Sequence, residues 1–342
     1  MDLKSKTIKG FLRIKADNYH FSTTLNNYFS FHTTKKHDSF DCLNDDLQQW
    51  ELEFPNASEI NVESLINSSK KDTKGTTPIY EATIAVDTDN EFLWNKFSNN
   101  TTAAISWIEN LFLNMNVIYE SEVNLRLLIG TTIIRIDNSP ENNPDFNADP
   151  DTFNDGLVSF ADYWKVNQTS VNRVFAMLLA GRGISNGGFS GVAYVNAYCN
   201  NSFSYSFNKL GSSFPASTAA LFVGHELGHN FGSSHTHCER LANNGADFVD
   251  HCYSNQNNSC FVGTTSCPSG GQGTMMSYCH APANGFDGNG PAQGPPGSCN
   301  TSTDVHDLIA SKMTNIIQNN FPNCIQPFSD FEDLIFLGNF DN

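Results

Sequence analysis

Apolar residues in this chain recur first with a period of two and then with a helical period, and the two patterns alternate. Tyr80-Glu81-Ala82-Thr83-Ile84-Ala85-Val86-Asp87 reads as a strand. Ala104, Ile105, Ile108, Leu111, Phe112, Met115 and Ile118 follow at helical spacing through Tyr119. Val123 to Ile136 returns to strand signals, interrupted at Gly130-Thr131. A second helical pattern covers about Thr152 to Trp164, and Arg173 to Leu179 reads as a buried strand. Gly191 to Val195 is a further short strand, and a helix is expected directly after it, entered through Ser213 and Pro215 and carrying Ala216 to Val223. From Gly232 onward the composition turns to Gly, Asn, Pro, Ser and Cys with little periodicity, until Asp304 to Ile317 gives a last helix. No internal repeat is present.

The polar, lysine-bearing stretch from Ser68 to Pro78 has the composition of an interdomain linker. It divides residues 1–76, which hold strand-like patches such as Phe11-Leu12-Arg13-Ile14, from a main domain over 79–325. The acidic and aromatic residues 326–342 form a tail or the start of a further domain. At 342 residues the chain can bury a sizeable core. A net charge of −17 and a pI near 4.8 argue against nucleic acid or an anionic membrane surface as partner. No apolar run approaches the roughly 20 residues of a membrane span. Met1 to Lys6 lacks an apolar signal core, so no signal peptide is visible. Oligomeric state cannot be read from these residues.

Eight of the nine cysteines lie between Cys199 and Cys324, and only Cys42 lies elsewhere. An even set crowded into one region implies up to four disulfides and an oxidising compartment, hence an extracellular protein. The competing reading, a structural zinc cluster, lacks any Cys-x-x-Cys spacing. About 105 connectivities are open to eight cysteines, so no pairing follows. Sequons at Asn56, Asn67, Asn100, Asn167 and Asn300 fit secretion weakly in so Asn-rich a chain.

The chemistry concentrates in His225-Glu226-Leu227-Gly228-His229-Asn230-Phe231-Gly232-Ser233-Ser234-His235. Histidines four apart on a helix leave the same face, and both nitrogens can reach one metal ion. Glu226 lies beside them, placed to accept a proton from water. Gly232 suits a helix C-cap, and the reversal returns His235 as a third ligand. Three protein ligands with an open fourth position mark a catalytic zinc site. The bland alternative, a helix with surface histidines, leaves the glutamate and the third histidine unexplained.

About forty residues later comes Gly273-Thr274-Met275-Met276-Ser277-Tyr278-Cys279. With this pair of motifs the chain resembles the metzincin metalloproteases, and its Gly-His-Asn-Phe-Gly wording is most similar to the reprolysin/adamalysin branch and its secreted bacterial-type relatives. The resemblance implies an α+β zincin domain: a twisted mixed sheet with helices above, and an irregular disulfide-rich lower half. It implies one catalytic Zn2+ held by His225, His229 and His235, with Met276, preferred to Met275, as the methionine of the turn beneath it. No calcium site is indicated. Gly191, Val192, Ala193 and Tyr194 become the edge strand along which a peptide substrate adds. Two departures stand out. Thr236-His237-Cys238 follows the third histidine where the branch usually has aspartate. Tyr278 resembles the tyrosine of astacins and serralysins, so it is read either as a catalytic group or as a packed core tyrosine.

The implied activity is that of a secreted endopeptidase hydrolysing peptide bonds with zinc-activated water and Glu226 as general base. A catalytically inactive binding or adhesion module on the same fold is the alternative, and a small-molecule metallohydrolase is a third reading. Metzincins of this kind are commonly made with a propeptide whose cysteine can occupy the open zinc position. Residues 1–76 are therefore propeptide-like, Cys42 is the candidate latency switch of a zymogen, and Lys70-Lys71 is the candidate release point.

Overall fold

The computed structural model describes residues 8–14, 17–23, 29–33, 40–42, 80–136, 153–181, 189–212, 214–241, 247–254, 256, 259–269, 271–279 and 299–327. The expected linker at 68–78 and the tail from 328 lie outside the described residues. Strands β1 (Ile8–Ile14), β2 (Asp17–Thr23) and β3 (Phe29–Thr33) form an antiparallel three-stranded sheet that includes the patch at Phe11 to Ile14. Strand β4 (Phe40–Cys42) leaves that sheet and joins the main one.

The main sheet runs in the order β6 (Leu125–Ile133), β5 (Tyr80–Thr88), β7 (Phe175–Ala180), β9 (Tyr205–Leu210), β8 (Phe189–Ala193), β4. The pairs β6–β5, β5–β7 and β7–β9 are parallel, β8 is antiparallel to β9, and β4 is parallel to β8. Short strands β10 (Gln272–Gly273) and β11 (Asn300–Thr301) pair in parallel below, and β12 (Gln326–Pro327) pairs with the first two residues of β5.

Side chains alternate across the sheet and separate two apolar layers. On one face Ile84, Val86, Phe175, Met177 and Leu179 pack against α1 (Thr101–Val123) and α3 (Ala216–Asn230), with α4 (Asp307–Asn320) closing the cluster. On the other, Ala85, Ala176, Leu178, Tyr205 and Phe207 pack against Leu157, Phe160, Ala161 and Trp164 of α2 (Phe153–Asn167). Strand β7 is buried at every position, which is why it reads as an unbroken apolar run. A charged pair is buried in this core. Asp87 accepts from Arg135 through both carboxylate oxygens, at 2.9 and 2.8 Å, and from Trp164 Nε1 at 2.9 Å. Burial raises the pKa of this carboxyl, while the bonds to Arg135 and Trp164 pull it back down, and removing Arg135 would strand a charge in the core.

The Gly130-Thr131 interruption is a β-bulge. Ile84 pairs with Ile129 but Val86 with Thr132, so β6 carries one extra residue there. The zinc-motif helix does not follow β8 directly, as expected from the sequence: β9 intervenes. Ser206, Asn208 and Lys209 gave it a loop-like composition, yet all three are fully buried, and Asn208 Nδ2 donates to Leu178 O at 3.2 Å. A π-helical turn at Phe92–Lys96 also escaped the sequence pattern. Its Lys96 Nζ donates to Gly211 O at 3.3 Å, Ser212 O at 3.2 Å and Phe214 O, so one ammonium holds the segment that leads into α3.

Below α3 the chain is irregular and held by Cys238–Cys260, Cys252–Cys279 and Cys267–Cys299. Cys199–Cys324 ties the end of α4 to the segment before β9. All eight clustered cysteines are thereby paired. No helix of the described residues is long and apolar enough to cross a membrane.

Candidate metal centre

Pro215 sits at the N-cap of α3 with extended backbone, and the helix then runs unbroken through the motif. It ends in a Schellman turn. Gly232 N donates to His229 O at 2.8 Å and Ser233 N to Gly228 O at 3.0 Å, with Gly232 at φ +88°. That conformation requires glycine, and it turns the chain back so that His235 faces the helix.

The three imidazoles converge. His229 Nε2 lies 3.1 Å from His225 Nε2 and 3.2 Å from His235 Nε2. Ligand nitrogens 2.0–2.1 Å from a tetrahedral ion stand roughly 3.3 Å apart, so the spacing fits one ion. Each ring is fixed through its other nitrogen. His225 Nδ1 donates to Met275 O at 2.7 Å, His229 Nδ1 to Ser233 O at 2.7 Å, and His235 Nδ1 to Gln256 Oε1 at 3.1 Å. These bonds put the proton on Nδ1 and leave the Nε2 lone pairs facing one another. Burial pushes His225 down to about 4 and holds His229 and His235 well below the ordinary imidazole range. The centre is thus kept neutral, the form that binds metal. The neighbouring His237 stands beside it: its ring stacks on His235 at 5.3 Å and 9°. The thiols of Cys238, Cys252, Cys279 and Cys299 near the site are oxidised to disulfides and offer no thiolate.

Glu226 is fully buried beside this centre. Gly191 of β8 passes directly over it: a Cβ at that position would lie 2.6 Å from Glu226 Cγ and 2.7 Å from Oε1. Val192 and Ala193 complete the strand, while Tyr194 falls just beyond it, its N donating to Tyr205 O at 3.3 Å. The expected free edge at β8 is not free. Strand β4 covers it in register, with Cys42 opposite Gly191, because a parallel strand can satisfy the groups that a hairpin with β9 leaves open.

Met276 is fully buried under α3, its Sδ 2.6 Å from where a Cβ on Gly228 would stand, and Met275 Sδ lies 3.3 Å from the same point on Gly224. Each methionine thus packs against the glycine preceding a ligand histidine. Thr236, which stands where the resemblance leads one to expect aspartate, donates from Oγ1 to Asp250 Oδ2, and its N donates to Met276 O at 3.1 Å. Asp250 Oδ1 accepts from Cys252 N at 2.9 Å, so a carboxylate from another loop holds the third-ligand segment, while Thr236 N makes the link to the methionine turn. Tyr278 is fully buried, its ring 4.2 Å from that of His235 and 4.9 Å from that of Tyr253. Sequence reasoning missed Gln256 and Asp250. Both act across loops of low complexity, and no local pattern marks them.

A helix that offers two histidines and a glutamate, a third histidine returned by a glycine turn, and a mixed sheet above define a metallopeptidase. The chain belongs to Metallo-peptidase family M12, whose description matches residues 80–286, more than half of the sequence. Comparison with curated proteins gives no match. The family establishes proteolysis of protein substrates as the class of activity, with a histidine cluster able to hold its metal ion.

Proposed function

We propose that the chain is a secreted zinc endopeptidase of the reprolysin-like type, made as a zymogen. The observation that carries this reading is the convergence of three imidazoles, with His229 Nε2 lying 3.1 Å from His225 Nε2 and 3.2 Å from His235 Nε2, beside the buried Glu226. His225, His229 and His235 would hold the ion, and bound Zn2+ would supply Lewis acidity toward the scissile carbonyl and a lowered pKa for water. Glu226 takes the proton of the attacking water and delivers it to the leaving amine. Val192 and Ala193 align the substrate backbone once β4 is displaced. Tyr278, whose ring lies 4.2 Å from that of His235, would steady the developing charge. Four disulfides support an oxidising, extracellular setting.

The test is hydrolysis of a quenched peptide by chain cut at Lys70-Lys71, abolished by a chelator and restored by zinc. A cut, zinc-loaded chain that binds peptide without cleaving it would establish the alternative, an inactive binding or adhesion module.

A further inference from the structure

Two of the three ligand histidines are oriented by backbone carbonyls, Met275 O and Ser233 O, which no side-chain substitution can remove. The third is oriented by a side chain. Gln256 Oε1 accepts from His235 Nδ1 at 3.1 Å and also from His237 Nε2. The rings of His235 and His237 lie parallel, 9° apart, and present their N–H groups on the same side to this one oxygen. His237 Nδ1 is left buried with no hydrogen-bond partner among the described residues, so His237 contributes its single proton to the amide. The loop that brings Gln256 here is closed at its base by Cys238–Cys260 and by Phe261 N donating to His237 O at 2.8 Å. A covalent bridge and a main-chain bond therefore hold both ends of the span that carries the amide.

From this geometry we propose that Gln256 is the positioning residue of the metal centre: its amide oxygen fixes the tautomer and ring plane of His235, and with them the affinity for the ion. The proposal rests on the zinc reading given above. An amide oxygen accepts without carrying charge, so it orients the imidazole without making it anionic. The consequence is that ion retention depends on one replaceable side chain outside the histidine motif. Outer partners of metal ligands contribute about 10–100-fold in affinity, which sets the scale expected here.

The experiment measures zinc affinity of the full chain by competition with a chromophoric chelator, for the parent, Gln256→Ala and Gln256→Glu. Thermal unfolding of each metal-free protein is measured in parallel. Gln256→Ala should bind zinc about 10–100-fold more weakly, with its metal-free melting temperature unchanged. Gln256→Glu, which keeps an accepting oxygen, should stay within about threefold of the parent. Cobalt-substituted Gln256→Ala should show an altered visible ligand-field spectrum, a change that loop packing alone would not produce. Affinity and spectrum equal to the parent's in Gln256→Ala would overturn the proposal. So would a lowered metal-free melting temperature with no recovery of affinity in Gln256→Glu. A parent that binds no zinc at all would instead sink the reading of the centre itself.

Discussion

Gly191 and Glu226, one on a strand and one on a helix, touch so closely that no side chain fits between them. A Cβ on Gly191 would stand 2.6 Å from Glu226 Cγ, 2.7 Å from Oε1 and 2.8 Å from Cδ. The glycine is thus required by proximity to the carboxylate. Gly191→Ala should push Glu226 from its place, and a displacement of about 1 Å in catalytic geometry costs on the order of a hundredfold in rate. Peptide hydrolysis by the cut enzyme, normalised to zinc content, measures it. A variant within threefold of the parent would show that the carboxylate has room to move.

Glu226→Gln should retain zinc and lose hydrolysis by about a hundredfold to ten-thousandfold, the usual contribution of a general acid–base group. The amide keeps the shape and hydrogen-bonding reach of the side chain but cannot take the proton. Metal content by atomic absorption and turnover on a quenched peptide are read on the same sample. Loss of zinc in this variant would make Glu226 part of the metal's support instead of its base.

Tyr278→Phe separates two roles that share one position. The ring packs against His235, His237 and Tyr253, and phenylalanine preserves those contacts. If the hydroxyl acts on the transition state, kcat should fall roughly tenfold to a hundredfold with KM little changed. Unchanged kinetics would leave Tyr278 a core residue and nothing more.

His306 gives a pH dependence with a definite sign. Its Nδ1 accepts from Leu308 N at 3.2 Å and caps α4. Burial holds its pKa below the ordinary 6.5, against the opposing pull of Asp307, Asp250 and Glu239. The unfolded chain therefore takes up this proton before the folded one does. The cap's contribution is complete above pH 6.5 and is lost as pH falls through the lower folded value. His306→Asn keeps a capping acceptor that does not titrate. Parent and variant should match at neutral pH, while the variant should be the more stable by about 1 kcal/mol near pH 5 in urea titrations. Parallel curves across that range would dismiss the cap.

What the sequence disclosed follows the range of the interactions involved. Helix α1 and the zinc-motif helix are set by periodicity within one segment, and the Gly232 reversal by a local backbone demand, so all were legible. Strand β9 was not: its polar residues are buried by the strands and helices packed around it, a fact about neighbours and not about the segment. Gln256 reaches His235 across 21 positions, and the short β4 meets β8 from far along the chain. Neither partner could be named before the fold existed. The same holds for the disulfides, whose cysteines were countable but whose pairing depends on where the irregular lower half passes.

Latency is tested through Cys42. Strand β4 pairs with β8 so that Cys42 stands opposite Gly191, about 4.8 Å across the ladder, and Gly191 itself lies on Glu226. The eight other cysteines are consumed in disulfides, which leaves Cys42 outside every bridge in the main domain. On the proposed latency two blocks would act together: the strand would take the place of a substrate backbone, and the Cys42 thiolate would offer zinc a strong fourth ligand. Cys42→Ser should raise the activity of the uncut chain, and a mercurial should do the same to the parent. Removing residues 1–76 should activate both to one level. If Cys42→Ser stays silent while the truncated form is active, the strand alone blocks and the thiolate switch is wrong. An uncut parent already as active as the truncated form would reject latency altogether.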